Sequence, residues 1–169
     1  MLRQLEYMLG KFGGPVIVED FVDGREFYVT VLGDGDPHML PPVEMDYGSF
    51  SDVHKRLCTY DAKFTPGSDG YEGINCLVPA PLSEEEYLQL EQLALATFRA
   101  LQCRDYARMD IRLRDGTFYL IDANPNADIS SDASIARAAA AAGYTYGEMI
   151  SLLVTLAAER HPRFKQSGR

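Results

Sequence analysis

What the sequence lacks narrows the reading first. No apolar run approaches the roughly 20 residues that span a membrane. The N-terminal stretch carries charges inside its short apolar run and has no small-residue cleavage site, so it does not read as a signal peptide. Cysteine is scarce: Cys58, Cys76 and Cys103 are odd in number and share no metal-ligand spacing. Free thiols in a cytoplasmic protein are the expectation. His38, His54 and His161 fall in expected loops or the tail, without zinc spacing. No Ser/His/Asp or Cys/His constellation points to a nucleophile. Basic patches are missing too, because 16 Lys and Arg are scattered singly among 25 Asp and Glu, for a net charge of −9. Nucleic acid and membrane are therefore not the expected partners. An acidic chain can still bind an anionic nucleotide, because a divalent cation reverses the local field.

What is present is ordinary for a globular chain. The 169 residues, 46% hydrophobic and 24% charged, suffice for one domain with a sizeable core. An amphipathic helix precedes Gly13-Gly14. Residues 16–21 (VIVEDF) and 27–32 (FYVTVL) read as two antiparallel strands turning at Asp23-Gly24. Residues 39–45 read as a third strand, with Pro41-Pro42 arguing for an edge. Residues 46–80, rich in Gly, Ser, Asp, Pro and Tyr, read as a functional loop region holding short strands. Ser83 with Glu86, and Thr145 with Glu148, are capping boxes that start helices over 84–101 and 146–160. Strands over 106–113 and 117–124 come between them, then an Ala-rich helix over 131–142 ending at Gly143. Strand pairs alternating with helix pairs predict an α+β fold, a mainly antiparallel sheet packed against helices.

The segment ARMDIRLRDGTFYLIDANPN carries the most information. A two-residue turn at Asp115-Gly116 would set Asp110 opposite Ile121. A three-residue loop would set it opposite Leu120, and Arg108 opposite Asp122. The hydrophobic pattern favours the second register, which segregates Met109, Ile111, Leu113, Tyr119, Ile121 and Ala123 onto one face. Arg108, Asp110, Asp122 and Asn124 then converge on the other face. Two carboxylates and an amide are hard oxygen ligands suited to Mg²⁺, and a neighbouring Arg suits a phosphate or oxyanion. A solvated strand face, with Asp110 paired to Arg108 or Arg112, explains the same residues.

RMDIRL followed by FYLIDANPN resembles the strand pair of ATP-grasp ligases, and the likeness runs from about 14 to 160. VIVEDFVDGREFYVTVLG resembles the adenine-binding linker of D-alanine–D-alanine ligases, YDAKF their ω-loop, and CLVPAPLSEEE the entry to the next helix. The resemblance implies the C-terminal, ATP- and Mg²⁺-binding lobe of that family, with Mn²⁺ as a substitute. It implies that Glu19 and the backbone of Asp20, Phe21 and Val22 hold the adenine, and that Glu26 holds the ribose. Lys63 would contact the phosphates, Asp110, Asp122 and Asn124 the metals, and Arg108 the acyl-phosphate and tetrahedral intermediates. The activity implied is carboxylate–amine ligation through an acyl phosphate, on a small carboxylate or amino acid.

The chain departs from the family at Asp122, where Glu is usual, and after Asn124, where Ala133 falls at the position of a substrate-holding Ser. A glycine-rich upstream lobe is expected to complete the grip on ATP. The expected organisation is a helix and linker over 1–14, the lobe over 15–162, and a tail over 163–169. A homodimer is also implied. A non-catalytic module derived from the same fold is the alternative, and ligation of a peptide, carrier or small acid is a variant of the first reading.

Overall fold

The computed structural model describes residues 2–57, 67 and 73–164. In chain order these form α1 (Leu2–Phe12), β1 (Arg25–Leu32), β2 (His38–Met39), β3 (Val43–Asp46), a 3₁₀ turn (Val53–Lys55), β4 (Asn75–Leu77), α2 (Glu84–Ala100), β5 (Tyr106–Arg114), β6 (Thr117–Asn124), α3 (Ser134–Ala141) and α4 (Tyr146–Arg160). All strand pairs are antiparallel, in the order β4-β3-β1-β5-β6, with β2 beside β1. The expected α+β architecture is the observed one.

Central strand β1 explains the layering. Its side chains alternate between two buried faces, so it reads as a nearly continuous apolar run. Phe27, Val29 and Val31 pack with Met109 and Ile111 of β5 against Leu90, Ala94 and Phe98 of α2. The opposite face sends Tyr28 and Leu32 toward Val43, Tyr47, Ile135 of α3 and Met149 of α4. Both long helices after α1 start where their capping boxes place them. Ser83 Oγ accepts from Glu86 N, and Glu86 Oε2 accepts from Ser83 N. Thr145 and Glu148 repeat the arrangement. Each cap satisfies N–H groups that the first turn leaves orphaned.

Three strand expectations are corrected. Residues 16–21 form no strand; Ile17 and Val18 are 81% and 61% exposed. β-propensity reflects packing against neighbours, and among the described residues no strand pairs with this segment. Residues 39–45 form two pieces rather than one, because Pro41-Pro42 interrupts the ladder between β2 and β3. β3 is also internal, lying between β1 and β4 rather than at an edge.

The third correction concerns the β5–β6 hairpin, and it positions the site. Asp115 and Gly116 both have positive φ, 51° and 74°, as a two-residue type I′ turn requires. Arg114 therefore faces Thr117, and Ile111 faces Leu120. This is the two-residue-turn register, not the three-residue loop that the hydrophobic pattern favours. Between Ile111 and Asp110 the ladder then shifts by one residue, so that Asp110 faces Asp122, Met109 faces Ala123 and Arg108 faces Asn124. Ile121 is the extra residue of this bulge and is half exposed. A uniform ladder from the same turn would have sent Asp122 to the α2 face with Met109. The bulge re-aims it.

Candidate functional site

The bulge brings the four predicted residues onto one face, across direct ladder pairs rather than by the predicted register. Three rungs cross that face. Asp122, Asp110 and Tyr28 form one; Asn124, Arg108 and Thr30 the next; Tyr119, Arg112 and Glu26 the third. Asn124 Nδ2 donates to Asp122 Oδ2 at 2.7 Å. Arg108 grips Asp110 with two parallel bonds, Nε to Oδ1 at 2.7 Å and an Nη to Oδ2 at 3.0 Å. Its guanidinium carbon lies 4.4 Å from the centre of the Tyr28 ring. The Asp110–Arg108 ion pair expected of a solvated strand face is thus present, but it is largely buried and lies inside a convergent cluster.

Burial pushes the Asp110 carboxyl above its ordinary value; Arg108 opposes that shift, and Glu26 and Asp122 add to it. A carboxylate held partly desolvated and opposite another carboxylate is under electrostatic tension that a cation relieves. Among the described residues no three His, Cys, Asp or Glu converge into a ready-made cage. Two carboxylates and one rotatable amide nevertheless fit Mg²⁺, which takes one or two protein carboxylates and fills its octahedron with phosphate oxygens and water.

The predicted base-binding residues lie elsewhere on the surface. Glu19, Asp20 and Phe21 are exposed on the extended segment before β1. A cleft of about 380 Å³ separates that segment from α1, lined by Gln4, Leu5, Met8, Val16, Ile17, Val18 and Glu19. Gly24 closes the segment onto β5, where a Cβ would fall 2.0 Å from the Leu113 carbonyl oxygen. Lys63 lies outside the described residues, as do Tyr60 and Phe64 of the expected ω-loop.

Glu26 is more buried than a ligand-facing strand residue would be, at 8% exposure. Its Oε2 accepts from Arg112 and, at 3.0 Å, from the Tyr47 hydroxyl. Arg112 also donates to the Val22 carbonyl at 2.9 Å and to the Arg56 carbonyl at 2.6 Å, and lies over the Phe21 ring at 4.9 Å. One buried guanidinium therefore ties the 20–23 segment and the chain after the 3₁₀ turn to the sheet. The sequence offered Arg112 only as a partner for Asp110, whereas it pairs with Glu26, and it pointed to no role for Tyr28, Tyr47 or Thr30. The alternation Arg108, Asp110, Arg112 on one strand and Glu26, Tyr28, Thr30 on the other was the available signal, once β1 and β5 are known to pair.

The loop after Asn124 is pinned rather than free. The Tyr106 hydroxyl donates to Asn126 Oδ1 at 3.3 Å and to the Ala127 carbonyl at 3.2 Å, and Ala127 is buried. Asp128 accepts from the Ser130 hydroxyl and backbone, which hold its carboxyl below the usual range.

Residues 2–155 match the family model described as D-ala D-ala ligase C-terminus. An uncharacterized protein, y4sG, of Sinorhizobium fredii is 32% identical over 160 residues, covering 94% of this chain and 46% of that protein. A D-alanine–D-alanine ligase of Desulforudis audaxviator is 31% identical over 152 residues, covering 88% of this chain and 45% of the ligase. The chain thus spans about half the length of the curated relatives it matches. In fold it superposes on a D-alanine–D-alanine ligase from Bacillus anthracis complexed with ATP, with a TM-score of 0.71 and 18% identity over 100% of this chain and 49% of that one. Among the described residues no helix is long and apolar enough to cross a membrane.

Proposed function

The chain belongs to the D-alanine–D-alanine ligase C-terminal family of ATP-grasp ligases, and from that premise we propose that it is the metal- and phosphate-holding lobe of an ATP-dependent carboxylate–amine ligase. The observation that carries this reading is the bulged β5–β6 hairpin, which sets Asp110 against Asp122 and Arg108 against Asn124 on one face. On this reading Asp110, Asp122 and the Asn124 amide oxygen hold Mg²⁺ or Mn²⁺. The bound cation would supply charge neutralisation at the ATP phosphates. Residues 15–162 form the lobe, and residues 1–14 lead into it from an upstream lobe that completes the grip on ATP.

The other roles follow from what each group can do. Glu19, exposed, and the backbone of residues 20–22 would read an adenine edge, and Glu26, held by Arg112 and Tyr47, would turn to the ribose only by giving up one of those partners. Lys63 meets the phosphates. Arg108 offers its N–H groups to the acyl phosphate formed when ATP phosphorylates a carboxylate. It then meets the oxyanion formed when an amine attacks that acyl phosphate. The electron pair of the broken C–O bond leaves with the phosphate, and an amide remains. The one-methylene-shorter Asp122 and the pinned 125–130 loop leave the acid and amine undefined, with a small carboxylate or amino acid the class expected. The protein acts in the cytoplasm, and its homodimer forms through parts outside this lobe.

Titration of the chain with ATP, with and without Mg²⁺, tests the proposal. Weak, Mg²⁺-dependent binding that disappears in the Asp110→Asn, Asp122→Asn double variant is expected, without turnover by the lobe alone. Nucleotide binding that ignores both Mg²⁺ and the double substitution would sink it. Asp122, one methylene shorter than the Glu usual in the family, motivates a second reading, a non-catalytic binding or assembly module, which predicts no nucleotide binding together with a stable protein partner.

A further inference from the structure

Building on that cation site, we propose that Arg108 and the divalent cation are alternative occupants of Asp110, with Tyr28 and Thr30 receiving the guanidinium when the cation takes the carboxylate. Arg108 engages both Asp110 oxygens, at 2.7 and 3.0 Å. A divalent ion bonds carboxylate oxygen at about 2.1 Å. Placed on either oxygen, it would lie within a few ångströms of the guanidinium, and two cations that close repel strongly in a half-buried setting. The pair as folded therefore takes one lone pair on each Asp110 oxygen, and a cation on the remaining ones would sit against the guanidinium.

The surroundings of Arg108 fit an exchange rather than a permanent pair. Its guanidinium already lies over the Tyr28 ring at 4.4 Å, and Tyr28 stands directly opposite Asp110 on β1. Thr30 stands directly opposite Arg108. Among the described residues its hydroxyl is the one buried side-chain polar atom without a hydrogen-bond partner. Buried polar groups are nearly always paired, so an open hydroxyl beside an arginine is an acceptor in waiting. The guanidinium can leave Asp110, keep its aromatic platform and gain Thr30 Oγ1. Cation arrival then does two things at once: it fills the Asp110–Asp122 pair, and it frees the Arg108 N–H groups for an anionic substrate group.

Mn²⁺ binding to the nucleotide-free chain, read as free Mn²⁺ by electron paramagnetic resonance, separates the possibilities. Arg108→Met should bind Mn²⁺ about tenfold more tightly than wild type, or 1.36 kcal/mol. Arg108→Lys keeps the charge but cannot make the two-point grip, and should bind about threefold more tightly. Thr30→Val, nearly isosteric, should weaken binding about twofold by removing the second acceptor. A general field effect predicts no gain for Arg108→Lys. The exchange is overturned if Arg108→Met is no tighter than wild type, or if Arg108→Lys matches wild type. Undiminished binding in Thr30→Val removes Thr30 from it. If the Asp110→Asn, Asp122→Asn double variant binds Mn²⁺ as wild type does, the cation sits elsewhere, and the metal-site reading fails together with the exchange. Loss of binding in that variant with no gain at Arg108 sinks the exchange alone.

Discussion

Two arginine–carboxylate pairs lie two residues apart on the same face of β5, and they are built differently. Arg112 and Glu26 are 4% and 10% exposed at the side chain. Two backbone carbonyls, the Tyr47 hydroxyl and the Phe21 ring complete their surroundings. Arg108 and Asp110 are about as buried, at 13% and 14%, but they have little beyond each other and the Tyr28 ring. A second carboxylate faces this pair across the ladder, and an unpartnered hydroxyl lies beside it. The first pair joins chain segments and is satisfied on all sides. The second is left in tension. Similar burial with different completeness marks which pair is structural and which is poised to exchange partners.

The contrast breaks most visibly at Arg112. Arg112→Met strips the partner from a buried carboxylate and releases the Val22 and Arg56 carbonyls. A loss of about 3–5 kcal/mol in unfolding free energy is expected, measured by urea denaturation. A loss under about 1 kcal/mol would mean that Glu26 relaxes to water, and that the pair is not the brace described. Arg108→Met is the matched experiment on the open pair. It should cost only about 1 kcal/mol, because the guanidinium holds no second chain segment. Equal losses at the two positions would erase the distinction.

The same elements differ in how much of them the sequence carries. Capping boxes were legible, because Ser83–Glu86 and Thr145–Glu148 are local chemistry, and both helices start there. Alternation within each strand made the pairs Arg108–Asp110 and Asp122–Asn124 legible, but their meeting on one face depends on the bulge, and the register was not legible. A bulge adds one residue without leaving a period in the pattern, so the exposed Ile121 looked like a core residue. Residues 16–21 carried a strand composition, but a strand also needs a neighbour. Arg112 was matched to the nearby Asp110 because its true partners are 86, 90 and 56 residues away in sequence. Long-range pairing of a charged residue has no local signature, whereas a cap does.

The smallest expected effect has the most informative sign. Burial raises the folded pKa of Asp110 above its ordinary 3.8, and Arg108 only partly offsets this. The folded protein therefore holds a proton that the unfolded chain gives up at lower pH. Stability contributed by this group is present below the ordinary value, is lost as pH rises through the higher folded value, and is absent at neutral pH. Asp110→Asn removes the titration. At pH 7 it should leave the protein as stable as wild type or up to about 1 kcal/mol more stable, despite breaking the Arg108 pair. The gap should narrow as pH is lowered toward 4. Glu26→Gln, in the satisfied pair, should move stability the other way at pH 7. If thermal melts over this range show Asp110→Asn destabilised by as much as Glu26→Gln, both carboxylates are structural and the tension assigned to Asp110 does not exist. If the signs are opposite, Asp110 is a carboxylate kept at a cost to the fold, as expected of a group retained to bind a cation.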